Sequence, residues 1–224
     1  MLSLTGPCSR LGIFLSAMIV VFSIIGLTMH KDFYAGHARR DFFCFYTNVS
    51  NLAVLVYFGF AAPRLYVKAS LHSLIPHAEF AVMMSIMLTF CVFHLVLFPP
   101  IFRAALHMPR TREYFIVCTD NFIIHYLVPL SVFAYWLACS PKKSTLGFAD
   151  ALYWTILPLI YVGCVFLRAR KNNIIEETGS PYPYPFLDIS ALGTARVFSI
   201  CASLYSLCVS VGLLMIALIR MLCR

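Results

Sequence analysis

Two short patterns in this sequence hold atoms that could do chemistry. Thr47-x-x-x-Asn51 lies near the start of one apolar stretch, and Asn121-x-x-x-His125 near the start of another. A hydroxyl beside an imidazole is the minimum equipment for nucleophilic catalysis, because the ring takes the proton as the oxygen attacks a carbonyl. Four-residue spacing puts both members of each pattern on one helix face. The amides of Asn48, Asn51 and Asn121 are candidates to donate hydrogen bonds to the oxyanion that forms. Asp120 and Asp188 are candidates to orient the imidazole.

The elements that must position these groups are membrane helices. Of the 224 residues 61% are hydrophobic and 12% charged, against roughly a quarter charged in soluble domains. Six stretches reach the ~20 apolar residues that span hydrocarbon: 11–29, 42–62, 78–98, 122–139, 148–167 and 197–219. The expected architecture is all-α, a polytopic bundle of six transmembrane helices forming one domain over 1–224. The first stretch is too long for a signal-peptide core, and His30-Lys31 stands where a small-residue cleavage site is needed. Pro129 and Pro158 fall inside stretches four and five, where they should kink the helices.

The net charge of +8 is not a nucleic-acid signal, since Lys and Arg cluster at the ends of apolar runs. The first, third and fifth loops carry ten basic residues and the opposite side seven, which leans the odd loops toward the cytoplasm. The nine cysteines form no C-x-x-C and read as small hydrophobes rather than a disulfide framework.

With six spans, helices two and four start from the face of the odd loops. Thr47 then lies about five residues in, or ~8 Å at ~1.5 Å per residue, and His125 at similar depth. Helix three ends there, which brings His94 to the same level, and the long fifth loop with Tyr184, Phe186 and Asp188 caps that face. His94, Tyr184 and Phe186 are therefore candidates to line a substrate pocket. Asp150, near the start of stretch five, reads as structural, because a helix N-terminus favours a carboxylate. His30, His37, His72, His77 and His107 read as solvated loop or interface residues.

Each group has a plain structural alternative. An intramembrane Thr commonly bonds back to the carbonyl four residues earlier, and a His or Asn in a bundle can simply join helices. A zinc site would want several His, Asp or Cys at short helical spacing, which is absent, although His94, His125 and a carboxylate could assemble in space. A metal-dependent hydrolase and a non-enzymatic lipid-binding or transport protein are the competing readings. The chemistry at Thr47 and His125 itself calls for no cofactor, metal or nucleotide, and the partner it implies is a membrane lipid or long-chain ester.

These residues resemble a known family. Tyr184-Pro-Phe-Leu-Asp188 followed by Gly193-Thr-Ala-Arg196 resembles a segment of the androgen-induced and androgen-dependent, tissue-factor-pathway-inhibitor-regulating membrane proteins. Asn121-x-x-x-His125 followed by Pro129 is similar to their fourth-helix signature, and Phe45-Tyr46-Thr47 with Asn51 to their second-helix threonine motif. His125, Pro129 and Trp136, then Trp154-x-x-x-Pro158-x-x-Tyr161, resemble the bacterial six-span relatives more closely than the animal proteins. The resemblance runs from helix two to helix six. It implies a threonine hydrolase of fatty acid esters of hydroxy fatty acids, with Thr47 as nucleophile and His125 as general base. It also implies the plasma (cytoplasmic) membrane of a bacterium, or otherwise an internal membrane. Where the animal members carry an acid and an amide after the threonine, this chain reads Asn48-Val49-Ser50-Asn51.

Overall fold

The apolar stretches form helices, and prolines decide where those helices change pitch. The computed structural model describes residues 7–29, 41–63, 73–99, 109–140 and 143–222. His30, His37, His72 and His107 lie outside them, as do Lys31, Arg39, Arg40, Arg64, Lys68, Arg103, Lys142 and Arg224, on which much of the orientation argument rests. Among the described residues the structure is helical and has no strand, only an isolated bridge between Ile175 and Ser180. In chain order the helices are α1 Pro7–Met29, α2 Tyr46–Val56, α3 Ile75–Val92, α4 Arg112–Phe122, α5 Val128–Cys139, α6 Asp150–Tyr153, α7 Ile156–Ala169, α8 Ile189–Leu192 and α9 Thr194–Leu222.

Three π turns continue these helices: Tyr57–Ala61 after α2, Phe93–Leu97 after α3, and Ile123–Leu127 joining α4 to α5. Each closes with a backbone N–H bonded five residues back: Ala62 to Tyr57, Phe98 to Phe93, and Val128 to Ile123. Each also ends two residues before a proline, namely Pro63, Pro99 and Pro129. A proline has no N–H for the carbonyl four residues earlier, and its ring collides with that carbonyl in an α-helix. A wider turn just ahead of the ring relieves both problems. Pro129, expected to kink its helix, thus follows a π turn, and the prolines at 63 and 99 follow one in the same way. Pro158 is handled differently: the expected single helix over 148–167 breaks at Trp154–Thr155, which leaves Pro158 in the first turn of α7.

Among the described residues, five helices are long and apolar enough to cross a membrane: Arg10–Met29, Ile75–Leu97, Tyr114–Cys139, Asp150–Ala169 and Thr194–Met221. The stretch over 42–62 is not among them. It opens with a 3-10 turn at Phe42–Cys44, and Thr47, Asn48, Ser50 and Asn51 crowd the first turns of α2, which lowers its hydropathy. The fourth helix starts earlier than expected, because Thr111 caps α4 by accepting the Tyr114 N–H at 3.3 Å. Asp120 and Asn121 therefore sit well inside a helix rather than at its rim. Large apolar side chains such as Leu95, Phe115, Phe122, Phe198 and Leu214 face outward, as a hydrocarbon solvent permits.

Backbone contacts gather the chain into two compact units, Met1–Arg39 with Thr47–Lys143, and Arg40–Tyr46 with Ser144–Arg224. In the first unit α1 packs on α5, α4 and the Ile123–Leu127 turn, while α3 packs on α5 and the same turn. Ile19, Val54, Phe80, Met83, Ile86, Ile124 and Trp136 form its core. In the second unit α9 packs on α6 and α8. Gly212 permits the first of these contacts, because a Cβ there would lie 2.8 Å from Trp154 Nε1. Asp150 accepts the Gly147 N–H at 2.7 Å, a structural role at the start of α6. Cys44, Cys91, Cys118, Cys139, Cys164, Cys201 and Cys208 are free thiols.

Candidate functional site

Within the first unit, the first turn of α2 carries Thr47 and the π turn Ile123–Leu127 carries His125. Their reactive atoms meet: Thr47 Oγ1 lies 3.2 Å from His125 Nε2. Both side chains are buried, 9% and 6% exposed. The other ring nitrogen, Nδ1, lies 3.1 Å from the main-chain carbonyl of Asn121. A carbonyl only accepts, so Nδ1 carries the hydrogen, and in the neutral ring Nε2 presents a lone pair. The Thr47 hydroxyl therefore donates to Nε2. That is the arrangement of a nucleophile beside its base, oriented by a third group. The plain structural alternative, bonding back along the helix, is what Thr28 does, to the carbonyls of Ile24 and Ile25 at 2.8 and 3.0 Å. Thr47 instead faces the ring.

Several neighbours hold this pair. Asn51 donates both amide hydrogens to carbonyls, one to Thr47 four residues earlier at 2.8 Å and one to Ile124 at 3.2 Å. It ties the turn bearing the hydroxyl to the turn bearing the imidazole. With both hydrogens engaged, Asn51 clamps helices and does not face an oxyanion. Among the described residues its Oδ1 is buried without a partner. Ser50 lies 3.0 Å from the Thr47 carbonyl and 2.6 Å from Thr89 Oγ1, linking α2 to α3. Phe93 stacks on the His125 ring at 3.6 Å between centroids, 16° from parallel. Gly26 of α1 lets that helix close over the π turn, since a Cβ there would lie 2.5 Å from Ile124 Cγ2 and 2.9 Å from Ile123 Cγ2.

The other expected residues fall as follows. Asn48 is fully buried beside Thr47, Asp120 is buried near the end of α4, and Asn121 contributes its carbonyl. The main-chain carbonyl of Asn121 thus lies against Nδ1. His94 lies on the exposed side of α3's π turn, 3.0 Å from the Tyr126 hydroxyl through Nδ1. His77 is half-buried in the first turn of α3.

In the second unit, the Tyr184 hydroxyl accepts the Tyr46 N–H at 3.0 Å, capping the first residue of α2, and Phe186 stacks on Tyr184 at 5.3 Å. Asp188 Oδ1 accepts the N–H groups of Ser190 and Ala191, and its Oδ2 accepts the Ser180 hydroxyl. It caps α8 and shapes the loop. Asp41 pairs with Arg168 at 2.9 Å and fastens the same loop through the Glu176 N–H.

Sequence reasoning passed over Ser50, Thr89, Phe93 and Glu79. Glu79 is 2% exposed and accepts the Tyr135 hydroxyl at 3.1 Å. A lone acid inside an apolar stretch was the signal for it. Thr89 and Phe93 share one face of α3, four residues apart. Among the described residues no group of three or more His, Cys, Asp and Glu could hold a metal ion. No family model, curated protein or solved structure matches the chain.

Proposed function

We propose that this chain is an intramembrane hydrolase of long-chain carboxylic esters, with Thr47 as nucleophile and His125 as general base. The observation that carries the reading is the buried 3.2 Å contact between Thr47 Oγ1 and an Nε2 whose lone pair is fixed by the Nδ1 bond to the Asn121 carbonyl. As Oγ1 bonds to the ester carbon, its proton passes to Nε2. The imidazolium then gives that proton to the departing alkoxide. Water, deprotonated by the same Nε2, attacks the acyl-threonine ester, and the proton returns to Oγ1 as the acid leaves.

The transient oxyanion forms beside the first turn of α2. Beyond Tyr46, whose N–H is taken by the Tyr184 hydroxyl, the first backbone N–H groups there have no acceptor within the helix, and the helix dipole favours negative charge. The five apolar helices support a substrate that arrives from the bilayer. The resemblance narrows the class to fatty acid esters of hydroxy fatty acids, and the setting to a bacterial cytoplasmic membrane.

The test uses the full chain in nanodiscs with a panel of long-chain esters, reading released fatty acid. Thr47→Ala and His125→Ala should each fall below about 0.1% of the parent rate with helix content unchanged by circular dichroism. A fluorophosphonate probe should label Thr47. An active Thr47→Ala protein would overturn the reading. Ester binding without turnover in the parent would instead favour a lipid-binding protein.

A further inference from the structure

The second unit holds a cavity of about 190 Å³, and all the residues that line it belong to that unit. The 3-10 turn Phe42–Cys44 forms one wall, the C-terminal end of α7 another, and the loop after α7 the third. The size is below the ~300–1,000 Å³ that encloses a whole small ligand, so the cavity admits one end of a larger molecule. Phe43 and Cys164 are exposed, and along their side the cavity meets the bilayer. Arg168 is the last residue but one of the candidate span Asp150–Ala169. The cavity thus stands near the level where hydrocarbon gives way to headgroups.

Counting donors narrows what fits. Phe43, Val165, Ile175, Pro181 and Pro183 offer apolar surface. The prolines have no N–H, and the Ile175 N–H goes to the Ser180 carbonyl at 2.9 Å. The Tyr161 hydroxyl gives its hydrogen to the Cys44 carbonyl at 2.6 Å, and the Cys44 thiol faces Asp41 Oδ1 at 3.9 Å. Cys164 adds only a weak thiol donor. Arg168 differs, because a guanidinium has five N–H hydrogens. One goes to the Pro181 carbonyl at 3.3 Å and one to Asp41 Oδ1 at 2.9 Å. Among the described residues Arg168 makes no other hydrogen bond, so three donor hydrogens are left beside an apolar slot. Its charge, however, is already met. Asp41 Oδ1 pairs with the guanidinium, and Oδ2 is held by the Glu176 N–H at 3.3 Å. A second anion at Arg168 would be repelled by that carboxylate, whereas a neutral oxygen acceptor would not.

We propose that this cavity binds the ester-carbonyl end of a bilayer glycerolipid. A carbonyl oxygen accepts from Arg168, the acyl chain leaves past Phe43 and Cys164, and the headgroup stays in water. The site recognises the ester linkage and is indifferent to headgroup charge. It uses neither Thr47 nor His125, and it stands whether or not the chain is a hydrolase.

The test titrates the full chain in dodecyl maltoside with three lipids of equal chain length: dilauroyl phosphatidylcholine, its di-O-dodecyl ether analogue, and dilauroyl phosphatidylglycerol. Bound lipid is read by native mass spectrometry. The two ester lipids should bind alike, and about fivefold or more tighter than the ether, the worth of one hydrogen bond. The double variant Asp41→Asn, Arg168→Met removes the donors together with the charge pair, and the ester-to-ether ratio should fall to about one. Cys164→Trp fills the opening from an exposed position, and there both esters should bind no tighter than the ether. Equal binding of ester and ether to the parent overturns the proposal, as does an ester preference that survives either variant. Phosphatidylglycerol bound about fivefold or more tighter than phosphatidylcholine would place a headgroup anion at Arg168, and overturns it too. Thr47→Ala protein should reproduce the parent's ratios. Failure of the ester preference leaves the hydrolase standing, and an inactive parent that keeps the preference leaves this site standing.

Discussion

Replacing Asn51 with leucine should separate stability from activity. The two side chains are close in size, so the change removes polarity and little volume. Two hydrogen bonds are lost, to the Thr47 carbonyl at 2.8 Å and the Ile124 carbonyl at 3.2 Å. At about 1 kcal/mol net each, that is a loss of about 2 kcal/mol. Against it, Asn51 Oδ1 is buried with no partner among the described residues, and removing such a group returns about 1–3 kcal/mol. The two contributions nearly cancel, so the thermal midpoint should move little.

The rate should not survive. Asn51 connects the turn that carries Thr47 to the turn that carries His125, whose reactive atoms are 3.2 Å apart. A displacement of ~1 Å in a reacting pair costs about 100-fold. The assay is the second-order rate of fluorophosphonate labelling at Thr47, read by mass spectrometry, beside a circular-dichroism melt of the same preparation. Asn51→Asp provides the companion. It sets carboxylate oxygens against two carbonyl oxygens, so it should label at least as slowly and melt lower. If Asn51→Leu labels within about twofold of the parent, the clamp does not position the dyad and the reasoning fails.

Three further outcomes follow from the same geometry. Gly26→Ala places a methyl 2.5 Å from Ile124 Cγ2; it should cost about 1–3 kcal/mol by overpacking, and Ile124→Ala in the same chain should restore part of the melt. Pro129→Ala returns an N–H to the His125 carbonyl and removes the reason for the π turn, so labelling at Thr47 should slow while the melt holds or rises; an unchanged labelling rate would show the turn does not aim the ring. Tyr184→Phe deletes the acceptor of the Tyr46 N–H at 3.0 Å and should lower stability by about 1 kcal/mol in chemical denaturation; a neutral result would mean water replaces the phenol as cap.

Thr47 and His125 were legible in the sequence because hydrocarbon makes polar residues conspicuous, and four-residue spacing assigns them to faces. The membrane helices were legible for the same reason, apart from α2, where the polar cluster itself reduces hydropathy. What could not be read was how amides and carbonyls pair across helices. Asn51 looks the same as an oxyanion donor or as a clamp until its two acceptors are located. Tyr184, in a proline-rich loop, carries no mark that it caps a helix begun 138 residues earlier. The prolines were visible, and Pro129 and Pro158 were read as kinks. Pro63, Pro99 and Pro129 each follow a π turn by two residues, a regularity that becomes evident only with backbone bonds in view.

The choice of orienting group has a physical logic. Both carboxylates considered for His125, Asp120 and Asp188, would have had to stay ionised to hold the imidazolium. An ionised carboxylate away from water costs several kcal/mol even after relaxation, and a proton taken up instead would end its service. The Asn121 carbonyl has no such liability. It is neutral, fixed to the helix, and pinned 3.1 Å from Nδ1, so it selects the Nδ1–H tautomer of the neutral ring. In the proposed reaction it would stabilise the imidazolium less than a carboxylate. The π turn supplies the geometry, because widening the helix ahead of Pro129 changes both where carbonyls point and where side chains emerge. Main chain can thus hold Nδ1 in a helix bundle without a charged group as its acceptor.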